Sequence, residues 1–388
     1  MSELAERQLL ELLPIEGPPG REGKVAQRIV AFLREAGIPD SAISFDRAQD
    51  QSEYGGETGN LIVRLDGHGR GARRLFTCHM DTIPNAVGCQ PRVEGRKAVN
   101  AAPGRALGGD NRCGCGIVLA VARALAERKG RHAPTTLVFL IQEEVGLVGA
   151  RGLDLGKLGP ALPALGFNAD GGRIQELVTA VIGTQRFTVE IKGVEAHSGA
   201  HPEDGVSAAV AMARALQALA DDGWHGAIAK PEGKGSANLG ILNGGQGSNV
   251  VMPHLSILAE ARSHDRAFRD RIVARWQDAF RAAAARTRNQ AGQCAEVAFG
   301  PAPTYESFKL PDGEPAVQLA LRAARELSIE MACVDNNGGM DSNWLNAHGI
   351  PTVTYGTGQR QVHTPHEWID LDEYALACRF AAQVALSE

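Results

Sequence analysis

Four short apolar runs constrain this chain more than any other feature: NLIVRL from Asn60, RLFTCH from Arg74, TTLVFLIQ from Thr135 and PALGFNAD from Pro163. Each is too short for an ordinary helix and is bounded by polar or turn-forming residues, so each reads as a strand. Runs that stay apolar without alternating belong to strands covered on both faces, the usual condition of a parallel sheet. A helical pattern from Asn111 to Arg128 lies between the second and third runs. Two amphipathic stretches, Glu3 to Leu13 and Glu22 to Ala36, precede them and are parted by the breaker EGPPG. Short strands alternating with helices predict an α/β layer.

From about Val181 the texture changes. TQRFTVEIKG alternates like a half-exposed strand. An Ala-rich helix is expected from Asp204 to Leu219, then the strands ANLGILNGG and SILAEARSHD, then a helix from Ala267 to Arg286. That order predicts a small α+β domain with an antiparallel sheet open on one face. After Glu296 the α/β texture resumes, with a helix from Glu314 to Leu327, the strand TVTYG at Thr352 and a terminal helix from Leu371 to Leu386. A length of 388 residues exceeds one ordinary core. The expected organisation is therefore a larger domain over 1–180 and 297–388, with a smaller one inserted at 181–296.

A formal net charge of −5 gives no electrostatic footprint for nucleic acid or an anionic membrane. The partners expected are small molecules. The arginine-rich stretch Arg262 to Arg288 is interleaved with Asp265, Asp270 and Asp278 and reads as a solvated helix face. Seven cysteines, an odd number, are not a disulfide framework and fit a reducing compartment. The start MSELAERQLLELL lacks the basic opening of a signal peptide, and no apolar run reaches the ~20 residues that span a bilayer. Cytoplasm is the expected location.

Chemistry-bearing residues gather where the strands end. His79 and Asp81 close RLFTCH; two apart, they suit a ligand and the carboxylate that orients it. Asp110 follows Gly108 and Gly109 at a helix start, where it is either an ordinary N-cap or a carboxylate brought against a metal by a sharp turn. Cys113 and Cys115 lack the spacing of a thiolate site and are expected to be packing residues. Glu143 and Glu144 end a strand that reads as buried, a costly place for adjacent carboxylates unless a cation receives them. Asp170 ends PALGFNAD, and His363 follows TVTYG. Open α/β sheets bind ligands at the carboxyl ends of their strands. Nitrogen and oxygen donors without thiolate, one of them a carboxylate able to bridge, are what two zinc ions ~3.5–4 Å apart require.

These residues resemble the co-catalytic zinc peptidases of the peptidase T, aminoacylase and glutamate carboxypeptidase family, above all its peptidase T group. The matching motifs are HMD at 79–81, GGDN at 108–111, EE at 143–144, NADGG at 168–172, GVEAHSGAHPEDGVSA at 193–208, EARSHD at 260–265, GGMDSN at 338–343 and VHTPHEW at 362–368. They occur in family order along the chain. The resemblance implies a three-layer α/β/α catalytic domain with an inserted ferredoxin-like lid or dimerisation domain. It implies two Zn2+, with Co2+ or Mn2+ as substitutes: His79 and Asp170 on one, Glu144 and His363 on the other, Asp110 bridging. Glu143 would be the general base acting on metal-held water, and Asp81 the residue that orients His79. His197 would stabilise the oxyanion, often from the partner subunit of a dimer, while Asn249 and Arg262 would hold the substrate, Arg262 by its carboxylate. A peptide bond after Asp110 in the cis form is also implied. Asn111-Arg112 departs from the usual acidic or small residue followed by Lys. Asp rather than Glu at position 170 favours removal of N-terminal residues from short peptides. The alternatives are an N-acyl amino acid deacylase or amidase on the same machinery, and a non-catalytic metal-binding relative.

Overall fold

The computed structural model describes residues 2–387, and at Ser2 and Pro303 the backbone alone. The chain forms two compact units, one of residues 1–181 with 309–388 and the other of residues 182–308.

The four apolar runs fold as the strands Leu61–Leu65, Arg74–His79, Thr135–Leu140 and Leu165–Gly171. Thr135–Leu140, Arg74–His79, Leu165–Gly171 and Thr352–Gly356 lie side by side in that order, all parallel. Leu61–Leu65 joins the Thr135 strand antiparallel, and Glu176–Val181 joins the Thr352 strand likewise. Every residue of Arg74–His79 and of Thr135–Leu140 is buried, as non-alternating runs require. Alternate residues go to opposite layers. Phe76, Cys78, Leu137 and Phe139 pack in one cluster with the helices Gly23–Glu35, Gly109–Glu127, Pro315–Glu326 and Leu371–Leu386. Leu75, Val138 and Leu140 pack on the other side with the short helices Val148–Arg151 and Asp341–Ala347. The result is the three-layer α/β/α arrangement.

The helix Gly109–Glu127 is buried along most of its length, which explains why its sequence is apolar on all faces. Its approach to the Asp170 strand depends on Gly114: a Cβ there would lie 2.3 Å from the Ala169 carbonyl oxygen. Cys113 and Cys115 are buried beside it as free thiols, as packing residues should be.

A second, four-stranded sheet was not legible in the sequence. Its strands Pro91–Glu94, Lys97–Asn100, Gln359–Arg360 and Trp368–Asp370 hold only two to four residues each, too few to show a period. It makes the segment containing His363 the loop of a hairpin, because Arg360 pairs with Trp368.

The unit 182–308 is a five-stranded antiparallel sheet in the order Gly226–Lys230, Gly233–Gly244, His254–Ser263, Gly183–Lys192, Glu296–Tyr305. The helices Ala208–Asp221 and Arg266–Arg286 contribute Ala211, Ala215, Trp276 and Phe280 to a core with Val189, Ile257 and Ala259 from the sheet. Setting aside the edge strand Gly226–Lys230, order and connections are those of a ferredoxin-like β-α-β-β-α-β unit. Its C-terminal limit differs from the expected 296. Glu296–Tyr305 pairs with Gly183–Lys192 and belongs to this sheet. The break in register between Pro301 and Thr304 disguised that strand, since pairing over a hundred residues leaves no local mark.

Candidate functional site

Five expected ligands from five chain segments come together in the first unit. His79 is the last residue of its strand and 1% exposed. Its Nε2 lies 3.2 Å from Asp110 Oδ1 and 3.5 Å from Asp170 Oδ1. His363 Nε2 lies 3.2 Å from Asp110 Oδ2 and 3.0 Å from Glu144 Oε2. The two carboxylate oxygens of Asp110 thus face different histidines, the geometry of a bridging group. Donor atoms of His79, Asp110 and Glu144 all fall within 4.8 Å of one another.

Local structure explains how Asp110 reaches this place. Gly108 adopts φ +78°, and Asp110 and Asn111 have non-helical dihedrals, so the regular helix begins after them. The Asp110–Asn111 peptide is cis. Gly108 takes the N-cap position, and both carboxylate oxygens of Asp110 are turned to the histidines. Asn111 instead reaches back: its Nδ2 donates to the Ala169 carbonyl at 2.9 Å and its Oδ1 accepts from Gly114 N at 2.9 Å.

The adjacent glutamates separate by direction. Glu143 lines a cavity of about 580 Å³ shared with His79, Asp110, Asp170 and His363, with Glu176, Asp335, Asn336, Met340 and Arg360 around its walls. Glu144 bonds His363. Behind them, buried Asp81 accepts the amides of Glu143 and Glu144 at 3.0 and 3.1 Å, and its Oδ1 lies 3.3 Å from His79 Nδ1. One carboxylate therefore steadies both the imidazole and the glutamate loop.

Charge in the cluster is poorly balanced. Burial would lower His79, but the carboxylates of Asp170, Asp110 and Asp81 outweigh it and hold the ring well above its ordinary value. Hydrogen bonds to Asp110 and Glu144 raise His363 to about 10. Desolvation raises Asp170 to about 6 and lifts Glu143 well above the carboxylate range. Asp341, from the GGMDSN motif, is fully buried, and among the described residues neither carboxylate oxygen has a hydrogen-bond partner. Protons on two imidazoles leave carboxylates in excess among largely buried groups. Divalent cations fit this donor set of imidazole nitrogens and carboxylate oxygens, and would supply the missing positive charge.

His197, Asn249 and Arg262 lie in the second unit. His197 forms a bridge with Val250, and Ser198 N donates to the Asn249 carbonyl at 3.0 Å, so His197 and Asn249 are neighbours. His197 Nδ1 accepts the amides of Gly199 and Ala200, both at 3.1 Å, which places the ring proton on Nε2. Arg262, on the strand His254–Ser263, is held by Glu260, Nε at 2.8 Å and Nη2 at 3.2 Å.

Two further carboxylates escaped the sequence reading. Glu367 accepts the amides of Gly108 and Asp110, and buried Glu22 accepts those of Gly20 and Gln142. Each sat inside or beside a motif already singled out, but nothing local distinguishes a glutamate that binds backbone from one that is solvated. Arg112, the departure from the usual pattern, is fully buried and donates to the Ile15 carbonyl at 3.0 Å.

Comparison with known proteins agrees with this construction. Residues 179–288 match the family described as a peptidase dimerisation domain, and residues 60–157 match peptidase family M28. The uncharacterized protein YqjE of Bacillus subtilis is 28% identical over 94% of this chain and 93% of its own length. The crystal structure of aminopeptidase PepT from Bacillus cereus superposes with a TM-score of 0.84 at 28% identity, covering 99% of this chain and 98% of that one. A tripeptidase from Staphylococcus aureus gives a TM-score of 0.86 at 25% identity over the same shares. Over nearly its whole length the chain is thus similar to peptidases of the peptidase T-like group, and its second unit carries the match to a peptidase dimerisation domain.

Proposed function

We propose that this chain is a metal-dependent aminopeptidase that removes N-terminal residues from short peptides, di- and tripeptides above all. The observation that carries the reading is the convergence of His79 and His363 on the two oxygens of Asp110, with Glu143 opening onto the adjoining cavity. In this reading His79 and Asp170 hold one Zn2+, Glu144 and His363 hold the other, and Asp110 bridges. When bound, the two ions would polarise the scissile carbonyl and make water a usable nucleophile at neutral pH, with Co2+ or Mn2+ able to substitute.

The residues of the chain do the rest. Glu143 takes the proton of the attacking water and delivers it to the leaving nitrogen, a transfer suited to a carboxylate whose affinity for protons burial has raised. Asp81 keeps the His79 ring oriented and the Glu143 loop in place. His197 presents an Nε2–H that stabilises the oxyanion, a contribution typically of several kcal/mol. Asn249 and Arg262 hold the peptide, Arg262 sharing its fork between Glu260 and the substrate carboxylate.

The ferredoxin-like unit is the dimerisation element in this reading, and its match to a family of that description supports it. The edge beyond Ala237 fits the role. Among the described residues Gly226–Lys230 pairs only with Gly233–Ala237, and Ile241 and Leu242 are 51% and 47% exposed. All seven cysteines are free thiols, and no helix among the described residues is long and apolar enough to cross a membrane. We place the protein in the cytoplasm.

Purified chain loaded with zinc, assayed on di- and tripeptides with free, acetylated and amidated ends, tests the reading. Cleavage is expected only where the N-terminus is free. Turnover of N-acyl amino acids in preference to free peptides would replace aminopeptidase by deacylase. Arg262→Ala should raise KM for peptides with a free C-terminus by roughly tenfold or more and spare amidated ones; equal loss on both would remove its carboxylate role.

A further inference from the structure

We propose that Glu367 is a positioning residue for Asp110, gripping the main chain on either side of Gly109 so that the Asp110 carboxylate points between His79 and His363. The inference rests on the metal-site reading above.

Glu367 is 3% exposed. Its Oε2 accepts the Gly108 amide at 2.7 Å and its Oε1 accepts the Asp110 amide at 3.0 Å. Both oxygens of this buried carboxyl group are thus engaged by backbone amides. The grip leaves no room for a side chain between its two arms. A Cβ at Gly109 would lie 3.2 Å from Glu367 Oε1 and 2.9 Å from Ile369 Cγ1. Fixing the amide of Asp110 fixes the direction in which its Cβ leaves the chain, and hence where its two oxygens can sit.

The position of Glu367 in the fold adds a second effect. It immediately precedes the strand Trp368–Asp370, which with Gln359–Arg360 frames the loop carrying His363. The same carboxylate therefore ties the segment of one ligand to the segment of another. The two segments also meet through the Asp110 and His363 side chains themselves. Positioning groups of this kind typically change metal affinity about 10–100-fold when removed.

The test is zinc titration of the purified chain, wild type against E367Q, D110N and the double variant, with melting of the metal-free forms alongside. In E367Q an amide NH2 faces a backbone N–H, so one arm of the grip is lost. Zinc affinity is expected to fall about 10–100-fold, with the metal-free melting temperature changing little. On the D110N background E367Q should cost less than about threefold more, because it acts through Asp110. Equal zinc affinity of wild type and E367Q, or a fully additive loss in the double variant, would overturn the grip while leaving the metal site standing. A wild-type chain that binds no zinc would overturn the site and the grip together. Should E367Q fail to fold, E367D carries the same test, its shorter arm reaching only with the loop displaced; roughly tenfold weaker zinc binding is expected there, and wild-type affinity would overturn the proposal.

Discussion

The two histidines of the site are built in different ways. His79 ends a strand flanked by neighbours on both sides, is almost fully buried, and has its Nδ1 propped by Asp81. His363 stands in a hairpin loop at φ +63° with 52% of its side chain exposed. The donors are chemically alike, but the sheet orders one in advance and a loop must be ordered around the other. A preorganised ligand binds without the entropy cost of fixing its segment. The half of the site at His79 and Asp170 should therefore hold its metal more tightly than the half at His363 and Glu144.

The largest expected effect comes from the glutamates between these halves. Glu143→Ala should lower kcat by about 10²–10⁴-fold with both metals retained, since its side chain faces the cavity. Glu144→Ala should lose metal from the His363 half. Metal analysis showing the reverse loss would mean that the two roles have been exchanged. A smaller effect separates the histidines. Under limiting zinc, His363→Ala should keep one ion per chain, while His79→Ala should retain zinc at least about tenfold more weakly; equal retention would erase the contrast between strand and loop.

Proton linkage sharpens the same contrast. In the metal-free chain His363 is raised from 6.5 to about 10 by Asp110 and Glu144. A raised imidazole stabilises the fold fully below its unfolded value, and that contribution is lost as pH rises through about 10. Metal binding runs the other way, because it needs the neutral ring and releases the proton. The melting temperature of chelator-treated protein should fall between pH 6.5 and 10 by more in wild type than in His363→Ala, while zinc affinity rises over the same interval. Parallel melting curves would remove His363 as the titrating group. The smallest effect is expected at Asp341, whose unpartnered carboxylate lies in the electrostatic field of His79 and Asp170. Asp341→Asn should weaken zinc in the His79 half by roughly threefold and leave the His363 half unchanged; a loss confined to the His363 half would reverse that assignment.

Much of this fold was legible because its signals are local. Arg74–His79 and Thr135–Leu140 announced themselves as doubly covered strands through unbroken apolarity, and His254–Ser263 as a half-open one through alternation. The four-stranded sheet around Gln359–Arg360 and the late strand Glu296–Tyr305 were not. Strands of two to four residues carry no period, and register across distant segments leaves no trace in either segment alone. The imidazole and carboxylate residues near the strand ends, His79 and Asp170, were equally legible as residue types. The grips of Glu367 and Glu22 were hidden, because their partners are backbone amides, which every residue possesses.

By itself the sequence determined the layered α/β core, the ferredoxin-like unit within it and the set of imidazole and carboxylate donors, since hydrophobic period and residue chemistry are written position by position. Tertiary structure decided what those donors face. Gln142 adopts φ +52°, so the strand's alternation stops just before Glu143 and Glu144, and spacing could not tell which would look into the cavity. The Asp110 carboxylate came to face two histidines where Gly108 turns the chain and Glu367, 257 residues away, accepts the amides of Gly108 and Asp110. Side-chain direction at such places is set by the surrounding packing, and packing exists only once the chain has folded.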